Sequence, residues 1–136
     1  MSVELNHIII PARDKRASAE FLAKILGLQV QPQWAHFLPI RVSNGVTLDY
    51  VDGGEFRPQH YAFLVSEAEF DAALARIRSA GVTFYAEFTR EGKGQINHLY
   101  GGRGVYFDDP SGHLLELITR PYGATPERWL PSNHAS

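Results

Sequence analysis

The sequence predicts an α+β fold in which one βαβββ unit is written twice. Three observations carry this reading. Apolar runs of strand length occur at 3–10 and 60–65, and each holds a histidine, His7 and His60. Each run is followed by a segment of helical period that stops at a glycine, Gly27 in the first copy and Gly81 in the second. Between the copies, Asp52-Gly53-Gly54 and Pro58 form a cluster of turn residues.

The 136 residues suffice for one domain with a substantial core, and a chain that is 44% apolar and 21% charged is ordinary globular material. One domain is therefore expected, with a first module over about 3–52, a second over about 59–120 and a tail over 121–136. The net charge of −2 with no basic block argues against nucleic acid as a partner. The absence of cysteine excludes disulfides, thiolate nucleophiles and thiolate metal sites, so any metal must be held by nitrogen and oxygen. No apolar run approaches the roughly 20 residues that span a bilayer, and the N-terminus lacks a signal-peptide pattern; a cytoplasmic protein is expected.

The elements follow in order. In 3–10, Leu5, His7 and Ile9 share one face and Ile8 and Ile10 the other; both faces are mainly apolar, so both should be covered. Pro11 is expected to end this strand. Asp14 is placed to cap a helix reaching about Leu26, with Phe21, Leu22, Ile25 and Leu26 inward. Strands are expected around 28–31, 38–42 and 46–51, the last two joined by a turn at Ser43-Asn44-Gly45.

The second copy starts with a strand at 60–65. Ser66 and Glu69 form a capping box, with Val65 and Phe70 packing across it. Phe70, Ala73, Leu74 and Ile77 then mark the buried stripe of an amphipathic helix. A strand is expected over 82–88. The stretch 90–104, with glycines at 92, 94, 101, 102 and 104, reads as a mobile loop or a loosely paired hairpin, and as a lid that orders over a bound ligand. Strands at 105–108 and 113–119 flank the turn Asp109-Pro110-Ser111-Gly112. In the tail, Tyr122 and Trp129 are candidates to dock against the body.

Two imidazoles and a carboxylate, His7, His60 and Glu116, lie on three of these strands. Brought together, they would form a facial triad that holds a divalent ion and leaves other positions open. By strand parity His60 shares its face with Ala62 and Leu64, and Glu116 shares its face with Leu114 and Ile118. Ionisable groups among apolar neighbours are costly unless paired or metal-bound.

The chain resembles the vicinal oxygen chelate superfamily, which includes glyoxalase I, bleomycin-resistance proteins, fosfomycin-resistance enzymes and extradiol dioxygenases. The residues that carry the resemblance are Leu5-Asn6-His7-Ile8, Gln59-His60-Tyr61-Ala62-Phe63, and the run from Val105 through Asp109-Pro110-Ser111-Gly112-His113 to Glu116. The resemblance covers roughly 3–120. It implies a curved mixed sheet around a metal cavity with helices outside, and His7, His60 and Glu116 as the metal ligands. Glyoxalase I enzymes add a glutamate on the last strand of the first module, where this chain has Asp49. Fosfomycin enzymes usually carry threonine two residues after the first histidine, where this chain has Ile9. Tyr106 matches a tyrosine that extradiol dioxygenases place ten residues before the ligand glutamate, and His98 loosely matches a histidine shortly before it.

Tyr106 and His98 are thus the catalytic candidates. Tyr106 reads as an acid or substrate anchor, or as a core aromatic; His98 reads as a proton shuttle or substrate contact. Arg103 could hold a substrate carboxylate or be a solvated loop residue, and Asp49 could orient a ligand or be solvated. His113 and His134 read as solvated. The expected function is a metal-dependent enzyme acting on a small oxygenated metabolite. Dioxygenase-like chemistry stands ahead of glyoxalase-like isomerase or lyase chemistry, and a metal-free drug-binding module of the bleomycin-resistance type is the rival. The triad favours Fe²⁺, with Mn²⁺, Zn²⁺ or Ni²⁺ as alternatives. A homodimer is expected, because two helices can cover only one face of the sheet and the other needs a partner or a ligand cavity.

Overall fold

A computed structural model describes residues 2–123; the expectations for Trp129 and His134 lie outside them. The described residues separate into two compact units, one running to Gln59 and including Asp109–His113, the other made of His60–Asp108 and the described residues from Leu114. No helix among the described residues is long and apolar enough to cross a membrane. The architecture is mixed α+β, as the sequence predicts, and its strands form two sheets.

The first unit contains β1 (His7–Ala12), α1 (Lys15–Leu26), β2 (Leu38–Arg41) and β3 (Thr47–Asp52). Its sheet has the order β1-β3-β2, with β1 parallel and β2 antiparallel to β3. β1 begins later than expected and runs through Pro11 rather than stopping there. It is an edge strand, and an edge tolerates a residue without an N–H. Val3 and Leu5, assigned to this strand from sequence, are exposed. α1 starts as predicted: the Asp14 carboxylate accepts the N–H groups of Arg16 and Ala17, and Gly27 closes the helix at φ +69°. Its buried face is Ser18, Ala19, Leu22, Ala23 and Ile25, while Phe21 and Leu26 are only half-buried. The strand expected at 28–31 shrinks to one bridge between Val30 and Ile40, so the first module is βαββ. The turn before β3 is as predicted: Val42 N–H donates to Val46 at 2.9 Å, with Gly45 at φ +89°.

The second unit realises βαβββ in full: β4 (His60–Leu64), α2 (Glu67–Ser79), β5 (Phe84–Tyr85), β6 (Gly104–Asp108) and β7 (Leu114–Ile118). The sheet order is β4-β7-β6-β5, with β4 parallel to β7 and the other pairs antiparallel. Ser66 Oγ accepts the N–H of Glu69 at 3.1 Å, which caps α2. Phe70, Ala73, Leu74 and Ile77 are buried, as their spacing predicts. β5 is two residues long instead of the expected 82–88. The chain leaves the ladder at Ala86 and returns past it, with Tyr85 bridged to Lys93 and Asn97 to Gly104. The stretch 90–104 is therefore the loosely paired hairpin of the two readings offered, with a single 3₁₀ turn at Leu99–Gly101. Gly92 is required there: its φ is +71°, and a Cβ would stand 2.7 Å from that of Ala86.

The first sheet buries one face, whereas the inner strands of the second are buried on both. In the first unit Ile10, Ala12, Leu38, Ile40, Leu48 and Tyr50 are buried, whereas Ile9 on the opposite face is 54% exposed. In the second, Val105, Phe107, Leu115 and Leu117 are buried on one face and Tyr106, Leu114, Glu116 and Ile118 on the other, whereas Leu64 on the edge strand β4 is 59% exposed. The expectation that both faces of the first strand would be covered is corrected. His7 lies on the open face of the first sheet, and His60 on the exposed edge strand of the second.

Candidate metal centre

In the second unit, parallel pairing sets Ala62 beside Glu116 and His60 beside Leu114, which puts His60 and Glu116 on one face. Their side chains meet: His60 Nε2 is 3.0 Å from Glu116 Oε1. The other ring nitrogen, Nδ1, lies 3.0 Å from the carbonyl oxygen of Leu114. A carbonyl can only accept, so Nδ1 carries a proton, and in the neutral ring Nε2 is left as a lone pair. That lone pair then faces a carboxylate oxygen, and two acceptors at this distance repel unless a cation or a proton lies between them. A backbone carbonyl that fixes the tautomer of a ligating histidine is also the usual outer-shell device of a metal site. The donor set of nitrogen plus carboxylate therefore fits a divalent ion.

Tyr106 stands opposite Glu116 on β6 and is almost fully buried. Burial raises its pKa above the ordinary phenol value, and the charge of Glu116 and a hydrogen bond to it push in the same direction. The hydroxyl is therefore a proton donor at neutral pH. The His60 ring lies 6.0 Å from the Tyr106 ring and 6.3 Å edge-on from Phe88, so aromatic surface flanks the pair.

In the first unit, His7 is exposed on the open face of β1, with Nδ1 2.7 Å from Asn6 Oδ1. The amide oxygen accepts, so Nε2 of His7 is likewise left as the lone pair. His7 lines a shallow pocket of about 340 Å³ with Asn6, Trp34, Pro39, Thr47 and Asp49. Asp49 thus shares the surroundings of His7. Among the described residues no three histidine, aspartate or glutamate side chains form a metal-holding group; the second unit supplies the pair His60 and Glu116.

His98 is exposed just before the 3₁₀ turn, and no hydrogen bond among the described residues ties it to His60, Glu116 or Tyr106. Arg103 is already engaged: it pairs with Glu67 and Asp71, each at 2.8 Å, and its guanidinium sits 4.6 Å from the Phe70 ring centroid. The reading of His113 as solvated is overturned, because its side chain is fully buried. Its Nδ1 accepts the N–H of Gln59 at 2.9 Å, and its Nε2 donates to the carbonyl of Pro11 at 2.7 Å. Sequence reasoning missed it because a turn residue beside glycine looks exposed until the turn folds inward.

Residues 4–117 match the family model described as the glyoxalase/bleomycin resistance protein/dioxygenase superfamily. The chain belongs to this superfamily. Among curated members it is similar to glutathione transferase FosA of Serratia marcescens, at 31% identity over 124 residues, 86% of this chain and 81% of that protein. It also matches metallothiol transferase FosB of Shouchella clausii, at 37% identity over 71 residues, 51% of this chain and 44% of that protein. Among solved superfamily structures, oxidase ChaP-H2 is 57% identical, with a TM-score of 0.89 covering 92% of this chain and 99% of that one.

Proposed function

We propose that this protein is a metal-dependent oxidase with dioxygenase-like chemistry, acting on a small oxygenated molecule. The observation that carries the reading is the pairing of His60 Nε2 with Glu116 Oε1 while Nδ1 is held by the Leu114 carbonyl. His7 completes the proposed ligand set, in agreement with its place in the superfamily motif. Two imidazoles and one carboxylate favour Fe²⁺. The ion would supply Lewis acidity and a template for two neighbouring substrate oxygens.

The chain's own residues have distinct tasks. The Leu114 carbonyl keeps the His60 lone pair on Nε2. Tyr106, protonated at neutral pH, donates a hydrogen bond in the site and steadies Glu116. Phe88, exposed beside His60, offers apolar surface that would exclude water once a ligand is bound. The similarity to ChaP-H2 over nearly the whole of both chains supports oxidase chemistry over other superfamily reactions. Ile9, two residues after His7, supports it against a fosfomycin role.

The working form is proposed to be a homodimer in which the open face of the first sheet and the edge strand β4 are covered and His7 reaches the His60–Glu116 pair of the other copy. The exposed Ile9, Trp34, Leu64 and Phe88 give such a contact its apolar content. Oxygen uptake by protein purified without chelators, screened against small molecules bearing two neighbouring oxygens, tests the activity. Uptake that disappears on metal removal is expected. Metal binding accompanied only by isomerisation of hemithioacetals would replace the oxidase reading with a glyoxalase-like one.

A further inference from the structure

We propose that His113 is a positioning residue for the metal ligands, acting through the backbone of Gln59. This rests on the metal reading above. The proposal comes from one buried imidazole on which segments leading to all three candidate ligands converge. On Nδ1 the ring accepts the N–H of Gln59, the residue immediately before His60. On Nε2 it donates to the carbonyl of Pro11, on the strand that carries His7. His113 itself is followed by Leu114, whose carbonyl holds His60 Nδ1, and then by Glu116 two residues on.

The tautomer is forced. A carbonyl only accepts and a peptide N–H only donates, so His113 is the neutral Nε2–H form. Its burial is complete, and Phe56 packs against the ring at 5.4 Å. The turn that presents it is itself fixed. Asp109 Oδ1 accepts the N–H groups of Ser111 and His113, both at 2.9 Å, and the Asp109 N–H donates to the His113 carbonyl at 2.9 Å. Ser111 Oγ in turn accepts the N–H of Arg13 at 3.0 Å and lies 2.8 Å from Ser18 Oγ on α1. A peptide N–H pinned from a rigid turn fixes the backbone at the start of β4. The direction in which His60 leaves that backbone sets where Nε2 stands relative to Glu116.

Two near-isosteric substitutions separate the two bonds. His113→Asn puts an amide oxygen about where Nδ1 was and keeps the acceptor for Gln59. His113→Gln puts an amide nitrogen about where Nε2 was and keeps only the donor to Pro11. The readouts are Mn²⁺ affinity by calorimetric titration and hydrogen exchange at the Gln59 amide, with His113→Leu as the variant lacking both bonds. Wild type and His113→Asn are expected to bind Mn²⁺ with closely similar affinity and to protect the Gln59 amide. His113→Gln and His113→Leu are expected to bind about 10-fold more weakly or worse and to lose that protection.

If folded His113→Gln binds as tightly as wild type although its Gln59 amide has lost protection, the proposal is overturned. It is overturned equally if all variants melt earlier with unchanged Mn²⁺ affinity, which is the signature of a packing role. Should His113→Leu not fold, the Asn and Gln pair still decides. Wild type that takes up no Mn²⁺, Fe²⁺ or Zn²⁺ would instead remove the metal reading on which the proposal stands.

Discussion

Tyr106 stands directly opposite Glu116 in the antiparallel register of β6 and β7, and both residues are buried on the face that carries His60. Burial holds the Tyr106 phenol protonated above its ordinary range, and the neighbouring carboxylate adds to the effect.

The consequence is a pH dependence at the alkaline end in the metal-free protein. The folded phenol gives up its proton at higher pH than the unfolded one. Its contribution to stability is fully present below the unfolded value of about 10 and is lost as pH rises beyond it. The melting temperature of wild type is therefore expected to fall more steeply above about pH 10 than that of Tyr106→Phe. Parallel curves for the two proteins would contradict the burial argument.

Arg90 forms a two-pronged ion pair with Asp108, Nε to Oδ2 at 3.0 Å and Nη2 to Oδ1 at 2.6 Å, and it does so from a left-handed backbone at φ +68°. Both side chains are partly exposed, so the pair is worth roughly 1 kcal/mol or less to overall stability. Its effect should be local. Arg90→Ala is expected to raise amide exchange in the segment between β5 and Asn97 while barely moving the denaturation midpoint. A large drop in global stability would show that the hairpin contributes more to the core than its exposure suggests.

Much of this was legible in the sequence. Helix boundaries were read well because their signals are local: Asp14 and Ser66 cap, Gly27 follows the first helix, and Phe70, Ala73, Leu74 and Ile77 keep one face. The short strands were read badly. Whether 28–31 or 82–88 forms a strand depends on which neighbour offers a ladder, and only Val30 and the Phe84–Tyr85 pair find one. The meeting of His60 with Glu116 followed from parity once the two strands were placed side by side, although nothing local specifies their parallel pairing. His113 was misjudged because its partners, Gln59 and Pro11, lie far away in sequence.

Sharing of ligands between copies has its own test. Dimers formed by co-refolding His7→Ala with Glu116→Ala protein collect both lesions in one site and neither in the other, if His7 serves the pair of the opposite copy. About half of the wild-type metal content is then expected in verified mixed dimers, against none in either parent. Mixed dimers without metal would place each ligand set within one chain, and a monomer in sedimentation at micromolar concentration would remove the dimer.

The most direct measurement is elemental analysis of protein purified without chelators, for wild type and for His60→Ala. Wild type is expected to carry one divalent ion per chain. His60→Ala is expected to carry none while keeping its far-ultraviolet circular dichroism, because removing one ligand of three abolishes tight binding and leaves strands and helices intact. Stoichiometric metal in folded His60→Ala protein would contradict the proposed centre.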